Sequence, residues 1–125
     1  MSYFHKWEEF PKVQGLRSGT NRRTITGEKI TVVNAEILPG TQFDGRLHSH
    51  PSEQVVVMLE GRLKLRVEDE ERWLEPGDVV CIPEGLYHGA TGVGESGAKY
   101  FEIFSPIRID YLIGYLGPSQ LKFRK

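Results

Sequence analysis

The sequence predicts an all-β domain, a sandwich or small barrel. The apolar segments are short and rich in Val, Ile, Phe and Tyr. The chain's 14 Gly and 7 Pro cut those segments at near-regular intervals, the pattern of short strands joined by turns. No stretch sustains a helical period. The best helical candidate, Asp110 to Leu116, is brief and is broken by Gly114 and Gly117. At 125 residues the chain makes one domain, 1–125, with room for one core.

Composition narrows the function classes. Lys and Arg number 16 against 17 Asp and Glu, and no basic patch stands out, which argues against nucleic acid as a partner. The first residues, MSYFHKWEEF, hold no apolar run of the secretory kind, and no segment is long enough to span a bilayer. The lone Cys81 has no internal disulfide partner and fits a reducing compartment. These features predict a soluble, cytoplasmic protein with no membrane partner.

Residues 1 to about 15 read as an arm carrying Tyr3, Phe4, Trp7 and Phe10, suited to pair along a sheet edge of its own chain or of a second subunit. Arg17 and Arg22-Arg23 precede a short strand at Thr24-Ile25. Ile30 to Leu38 is the next strand, closed by Pro39-Gly40. Residues 41–47 are a loop that delivers His48, and the barrel core is expected over 40–110.

Between His48 and Leu59 one continuous strand is expected. Alternation puts His48, His50, Ser52, Gln54, Val56 and Met58 on one face, and Val55, Val57 and Leu59 on the other. Its second half is apolar on both faces, so one side meets the barrel interior and the other a second sheet or subunit. Glu60-Gly61 reads as a turn. Arg62 to Val67 then alternates cleanly, and the acidic run Glu68 to Glu71 is a solvated hairpin tip. Trp73-Leu74 begins the return strand. Asp78 to Ile82 is a strand ending at Pro83-Glu84-Gly85, with Cys81 as a small buried hydrophobe. The glycine-rich Gly89 to Ala98 reads as a mobile loop, and Lys99 to Phe104 as the last strong strand.

His48 and His50 stand one residue apart, so on a strand their imidazoles share a face with Cα atoms about 6.8 Å apart and can reach one ion. Gln54 returns to that face. Glu53 is the rival ligand, but it points to the opposite face unless a bulge intervenes. His5 lies in the arm and is expected to be exposed.

These residues resemble the cupin superfamily. Its first motif, two histidines in HxH, an acid or amide and a closing Gly, stands here as His48, His50, Gln54 and Gly61. Its second motif, Gly, five residues, Pro-x-Gly, two residues and His, stands as Gly77, Pro83, Gly85 and His88. Arg62 to Pro76 separates them, which matches the short spacer of compact bacterial cupins. The Asn that the family often places after the last His is missing. The resemblance implies a double-stranded β-helix, the cupin jelly-roll barrel, a homodimer, and one divalent transition metal held by His48, His50, Gln54 and His88. An ion needs ligands converging from different directions, and His88 arrives from a second strand. Such ligands suit Ni, Zn, Fe, Mn or Co.

A narrower resemblance lies in Glu102 to Tyr111, which looks like the Asp-x-Phe-Ser-Pro-x-Arg-x-Asp-Phe/Tyr stretch of KdgF-like pectin-degradation cupins. Their HSHPxEQ segment also resembles His48 to Gln54. Those proteins linearise 4,5-unsaturated uronates, and the resemblance implies a small sugar-acid substrate, with Glu102 and Arg108 catalytic and Phe104 in the pocket. Glu stands here where that family has Asp. Alternation puts Tyr100, Glu102 and Phe104 on one face of the last strand, and Met58 on the histidine face, so Tyr100 and Met58 join the expected pocket. A structural reading pairs Glu102 with Arg108 across the barrel end. Two other functions suit the metal motif: an iron- or manganese-dependent dioxygenase of a small chelating substrate, and a non-catalytic sensor barrel.

Overall fold

The computed structural model describes residues 2–125. Among them the chain forms nine strands: β1 (Val13–Gln14), β2 (Thr20–Thr26), β3 (Thr31–Ile37), β4 (His48–Ser49), β5 (Glu53–Val67), β6 (Glu70–Leu74), β7 (Val79–Ile82), β8 (His88–Ser105) and β9 (Lys122–Phe123). Two 3₁₀ turns, Trp7–Glu9 and Ile109–Tyr111, are the only helical elements described. All pairings in this curled sheet are antiparallel, with the path β1-β2-β3-β8-β4-β9 on one side and β5 bonded to β6, β7 and β8 on the other. The result is the jelly-roll barrel, and its sheet reaches beyond residues 40–110 at both ends.

The interior follows the two-residue period. On β3, Thr31, Val33, Ala35 and Ile37 are buried and their neighbours are not. On β5 the buried set is Gln54, Val56, Met58, Leu63 and Leu65. Ile37, Val56, Met58, Leu63, Leu65, Leu74, Ile82 and Ala98 form the main core, and Val33, Ala35 and Phe104 a second cluster. β3 and β5 thus each carry one dry face, and burying those faces together drives closure of the barrel.

Several local expectations are corrected. The strand expected over 48–59 is interrupted at His50–Ser52, where the chain bends between β4 and β5. Glu60-Gly61 is not a turn. β5 runs straight through it, with register shifts against β8 at Met58/Glu60 and Gly61/Leu63 that mark a bulge. Gly61 takes φ 74° there, and its missing side chain lets Gly97 O pass where a Cβ would collide with it. Gly89 to Ala98 is not a loop either. It forms the first part of β8, paired with β5 from Leu63 to Val67. Its glycines let that strand lie close over the side chains of Arg62, Lys64 and Trp73. β2 is longer than the two residues expected, because all seven of its residues pair with β3.

Cys81 is exposed, not buried. β7 pairs only with β5 and turns the parity of Val79 and Cys81 outward, while Ile82 packs inside. The arm pairs within its own chain: β1 bonds to β2, and Trp7 stacks on Phe101 at 6.1 Å between ring centroids. Tyr3 and Phe4 remain exposed.

Candidate metal centre

β4 places His48 directly opposite His88 of β8 in antiparallel register. The bend after Ser49 then swings His50 to the same end of the barrel. The three imidazoles cluster, with ring centroids 4.8 Å apart for His48–His88, 4.9 Å for His50–His88 and 6.5 Å for His48–His50. The Pro83–Gly85 turn is tied to this segment by Gly85 N–H donating to His50 O at 3.3 Å. His88 Nδ1 donates to Leu86 O at 2.9 Å, since a carbonyl only accepts, and this leaves Nε2 as the lone-pair nitrogen.

Burial keeps the rings neutral. Desolvation lowers the His48 pKa to about 3, helped by the neighbouring His88 and His50 and by Arg108 and Arg17. It lowers His50 to about 4, with Arg108 and His88 adding to the effect, and lowers His88 as well.

Gln54, at 3% exposure, sits beside the rings, its Oε1 3.0 Å from His50 Nε2. Its Nε2 donates to Glu102 Oε2 at 2.7 Å. The contact orients the amide so that its oxygen faces the histidines. Glu53 is exposed on the other face, where alternation puts it. Desolvation raises the Glu102 pKa, against opposing contributions from Arg108, Arg22 and the Gln54 hydrogen bond.

Among the described residues no three His, Cys, Asp or Glu side chains already converge on one point, and the wide His48–His50 spacing leaves the cluster open on that side. The donor set nevertheless fits a divalent ion. His48 Nδ1, His50 Nδ1 and His88 Nε2 are buried nitrogens without a hydrogen-bond partner, an arrangement that costs free energy unless something occupies it. His50 Nε2 donates to Gln54 Oε1, since an amide oxygen only accepts, and this leaves Nδ1 as the lone-pair nitrogen of that ring.

A cavity of about 100 Å³ opens beside the cluster, bordered by His48, Gln54, His88, Tyr100, Glu102 and Tyr111. Phe104 stands behind it, edge-on to His50 at 5.3 Å and 1% exposed. Met58 lies in the main core, and the cavity lining does not include it. Arg108 is fully buried, its guanidinium over Phe104 at 4.9 Å and over Tyr111 at 4.0 Å. Its carboxylate partner is Asp110, at 2.9 Å, rather than Glu102. His5 is exposed, as expected, beside Glu9 and far along the chain from the cluster.

Sequence reasoning missed several contributors to the cavity, Arg17, Arg22 and Leu121 among them. The polar run TNRRTIT hides which face of β2 points inward. Leu121 belongs to the tail, which returns so that β9 bonds to β4 and Phe123 meets the His48 ring at 6.0 Å.

The Cupin domain family model matches residues 33–104, more than half of the chain. The chain belongs to the cupin family. This cupin is 26% identical to KdgF from Halomonas sp., with a TM-score of 0.74 over 89% of this chain and 100% of that one. An RmlC-like cupin from Shewanella frigidimarina NCIMB 400 is 24% identical, with a TM-score of 0.75 over 90% of this chain and 97% of that one. Oxalate decarboxylase from Bacillus subtilis matches at 23% identity and TM-score 0.69, over 82% of this chain and 28% of that longer one. The last two likenesses speak for the fold. No curated protein matches the chain. Among the described residues no helix is long and apolar enough to cross a membrane.

Proposed function

We propose that this cupin is a metal-dependent enzyme that linearises a 4,5-unsaturated uronate to an open-chain keto sugar. One observation chiefly supports this reading. A desolvated acid, Glu102, is hydrogen-bonded through Gln54 to a cluster of three neutral histidines beside one small cavity. The likeness to KdgF along the whole of that chain adds to it.

His48, His50, His88 and Gln54 would hold one divalent transition metal, which supplies Lewis acidity when bound. Three imidazoles and an amide are all neutral ligands, so they leave its charge uncompensated. Glu102 supplies the proton. Its raised pKa keeps a proton on the carboxyl at higher pH than an ordinary glutamate does. In the ring-opened enol, that proton goes to carbon 4 and the enol O–H proton returns to the carboxylate. Glu102 ends as it began, and the step is an isomerisation with no atom gained or lost. Tyr100 and Tyr111, whose pKa values are raised chiefly by desolvation, stay neutral as cavity walls.

The assembly is a homodimer formed through the outer face of β5 and β7, where Val79 is 60% and Leu59 37% exposed. An exposed free Cys81 suits a reducing compartment such as the cytoplasm.

The test loads the protein with nickel, zinc, manganese or iron(II) and follows the ultraviolet absorbance of unsaturated galacturonate. Accelerated loss that disappears in Glu102→Gln, with metal content retained, supports the proposal. Absence of acceleration with every metal, on folded protein that holds it, sinks it.

A further inference from the structure

The cavity contains cations that this scheme leaves unused. Arg22 lies on β2 in register with Ala35 of β3, which is itself in register with Tyr100 of β8. Ala35 is buried, and Arg22, Ala35 and Tyr100 all line the cavity, so this row faces inward. Arg17, just before β2, lines the same cavity, and its guanidinium lies over the Phe43 ring at 4.9 Å.

The two arginines differ from Arg108 in what they already hold. Arg108 is sealed from solvent, and two of its nitrogens bond to Asp110. Among the described residues Arg17 and Arg22 take part in no salt bridge. Arg22 stacks on the face of Tyr111, 3.9 Å from the ring centroid, which orients its plane and leaves the donor edge unspent. It is half-buried, where a charge-assisted contact is screened less than at the surface.

We infer that Arg22, assisted by Arg17, is the residue that binds a carboxylate in this cavity, and that the ligand is a small organic acid whose acid group lies against β2. The assignment deepens the uronate reading and rests on it for the identity of the substrate. The planar fork of an arginine matches a carboxylate at two points, and Tyr111 holds that fork in place before any ligand arrives. Arg108 is then a positioning residue. It packs Phe104 and Tyr111 and adds positive potential near Glu102, while its own donors are spent on Asp110.

Galacturonate and galactose differ only in a carboxylate against a hydroxymethyl group, which isolates the charge. Their dissociation constants are measured by calorimetry on metal-free and zinc-loaded protein, so that carboxylate binding to the metal is separated from binding to arginine. Wild type is expected to prefer galacturonate by about tenfold or more in both forms, the size of one charged hydrogen-bonded contact. Arg22→Gln should reduce the preference to about two- to threefold, with Arg22→Lys and Arg17→Gln between these values. Arg72→Gln, on an exposed arginine paired with Glu70, should match wild type. If Arg22→Gln does not fold, Arg22→Lys and Arg17→Gln carry the comparison. Full preference in the folded arginine variants, or no preference in the wild type, overturns the inference. If the preference depends on Arg22 but wild type does not turn over unsaturated uronate, the anion site stands and the uronate reading falls. If wild type does turn it over and Arg22→Gln keeps the full preference, the uronate reading stands and the anion site falls.

Discussion

Arg108 and Asp110 meet through two parallel contacts, Nε to Oδ1 at 3.0 Å and Nη2 to Oδ2 at 2.9 Å, with the side chains only 1% and 5% exposed. Asp110 Oδ2 also accepts the backbone N–H of Gln120 at 3.1 Å, so the same carboxylate ties the tail to the barrel. Arg108 N–H in turn donates to the buried Thr31 hydroxyl. One ion pair thus connects β3, the turn after β8 and the segment leading to β9. Removing one member strands a charge in a dry place. Asp110→Ala should lose about 3–5 kcal/mol in chemical denaturation. A loss under about 1 kcal/mol would show that water reaches Arg108.

The histidine cluster gives the metal-free protein a pH dependence of definite sign. His48 and His50 are lowered to about 3 and about 4, chiefly by desolvation, against about 6.5 in an unfolded chain. Between those values the unfolded state binds more protons, so stability falls as pH drops below about 6.5. Urea midpoints at pH 7.5, 6.5, 5.5 and 4.5 should decline, and His48→Gln should flatten the decline. A midpoint unchanged from 7.5 to 4.5, with the same result in the variant, would mean the rings are protonated in place. Added zinc should raise the midpoint most at the upper end of the range, where deprotonated imidazoles ligate best.

Glu102 works in the opposite direction. Desolvation raises its pKa above the unfolded value of 4.5, so it costs stability as pH rises through the raised value. Glu102→Gln keeps an oxygen to accept the Gln54 hydrogen bond and removes the charge. At pH 8 the variant should be at least as stable as wild type while losing uronate linearisation. A loss above about 1 kcal/mol at that pH would identify the carboxylate as a structural partner of the nearby arginines.

Gly61→Ala separates the bulge from an ordinary turn. Gly77, at φ 94°, would accept a Cβ with nothing within 4 Å, whereas Gly61 would meet Gly97 O. Gly77→Ala should cost about 1–2 kcal/mol from backbone strain alone. Gly61→Ala should cost clearly more and should loosen amide-exchange protection along β8 near Ala98. Equal costs would mean that the close approach of β5 and β8 relaxes without penalty.

Local spacing carried much of the site into view. Alternation put His48, His50 and Gln54 together even though the chain bends between them at His50–Ser52, and His88 and Gly85 stood out through their resemblance to the second cupin motif. Alternation also put Glu102 on the inward face, where it meets Gln54. Three features were hidden. A glycine with positive φ reads as a turn, and at Gly61 a bulged, continuous strand uses the same torsion. Glycine richness over 89–98 reads as slack, yet there it permits close pairing with β5. Cys81 and Val79 are apolar by composition, and their exposure follows from β7 having β5 as its only sheet neighbour.

By itself the sequence determined the all-β class, which rests on a period of two residues and on short turns, and its two histidine motifs carried the resemblance to the cupins. Tertiary structure decided the charge partners. Asp110 rather than Glu102 claims Arg108, because Glu102 points into the cavity toward Gln54, whereas Asp110 follows two residues after Arg108 in the turn that folds over it. It also decided that Arg22 enters the cavity from a strand of all-polar appearance, since only the register of β2 on β3 and β8 shows which face turns inward.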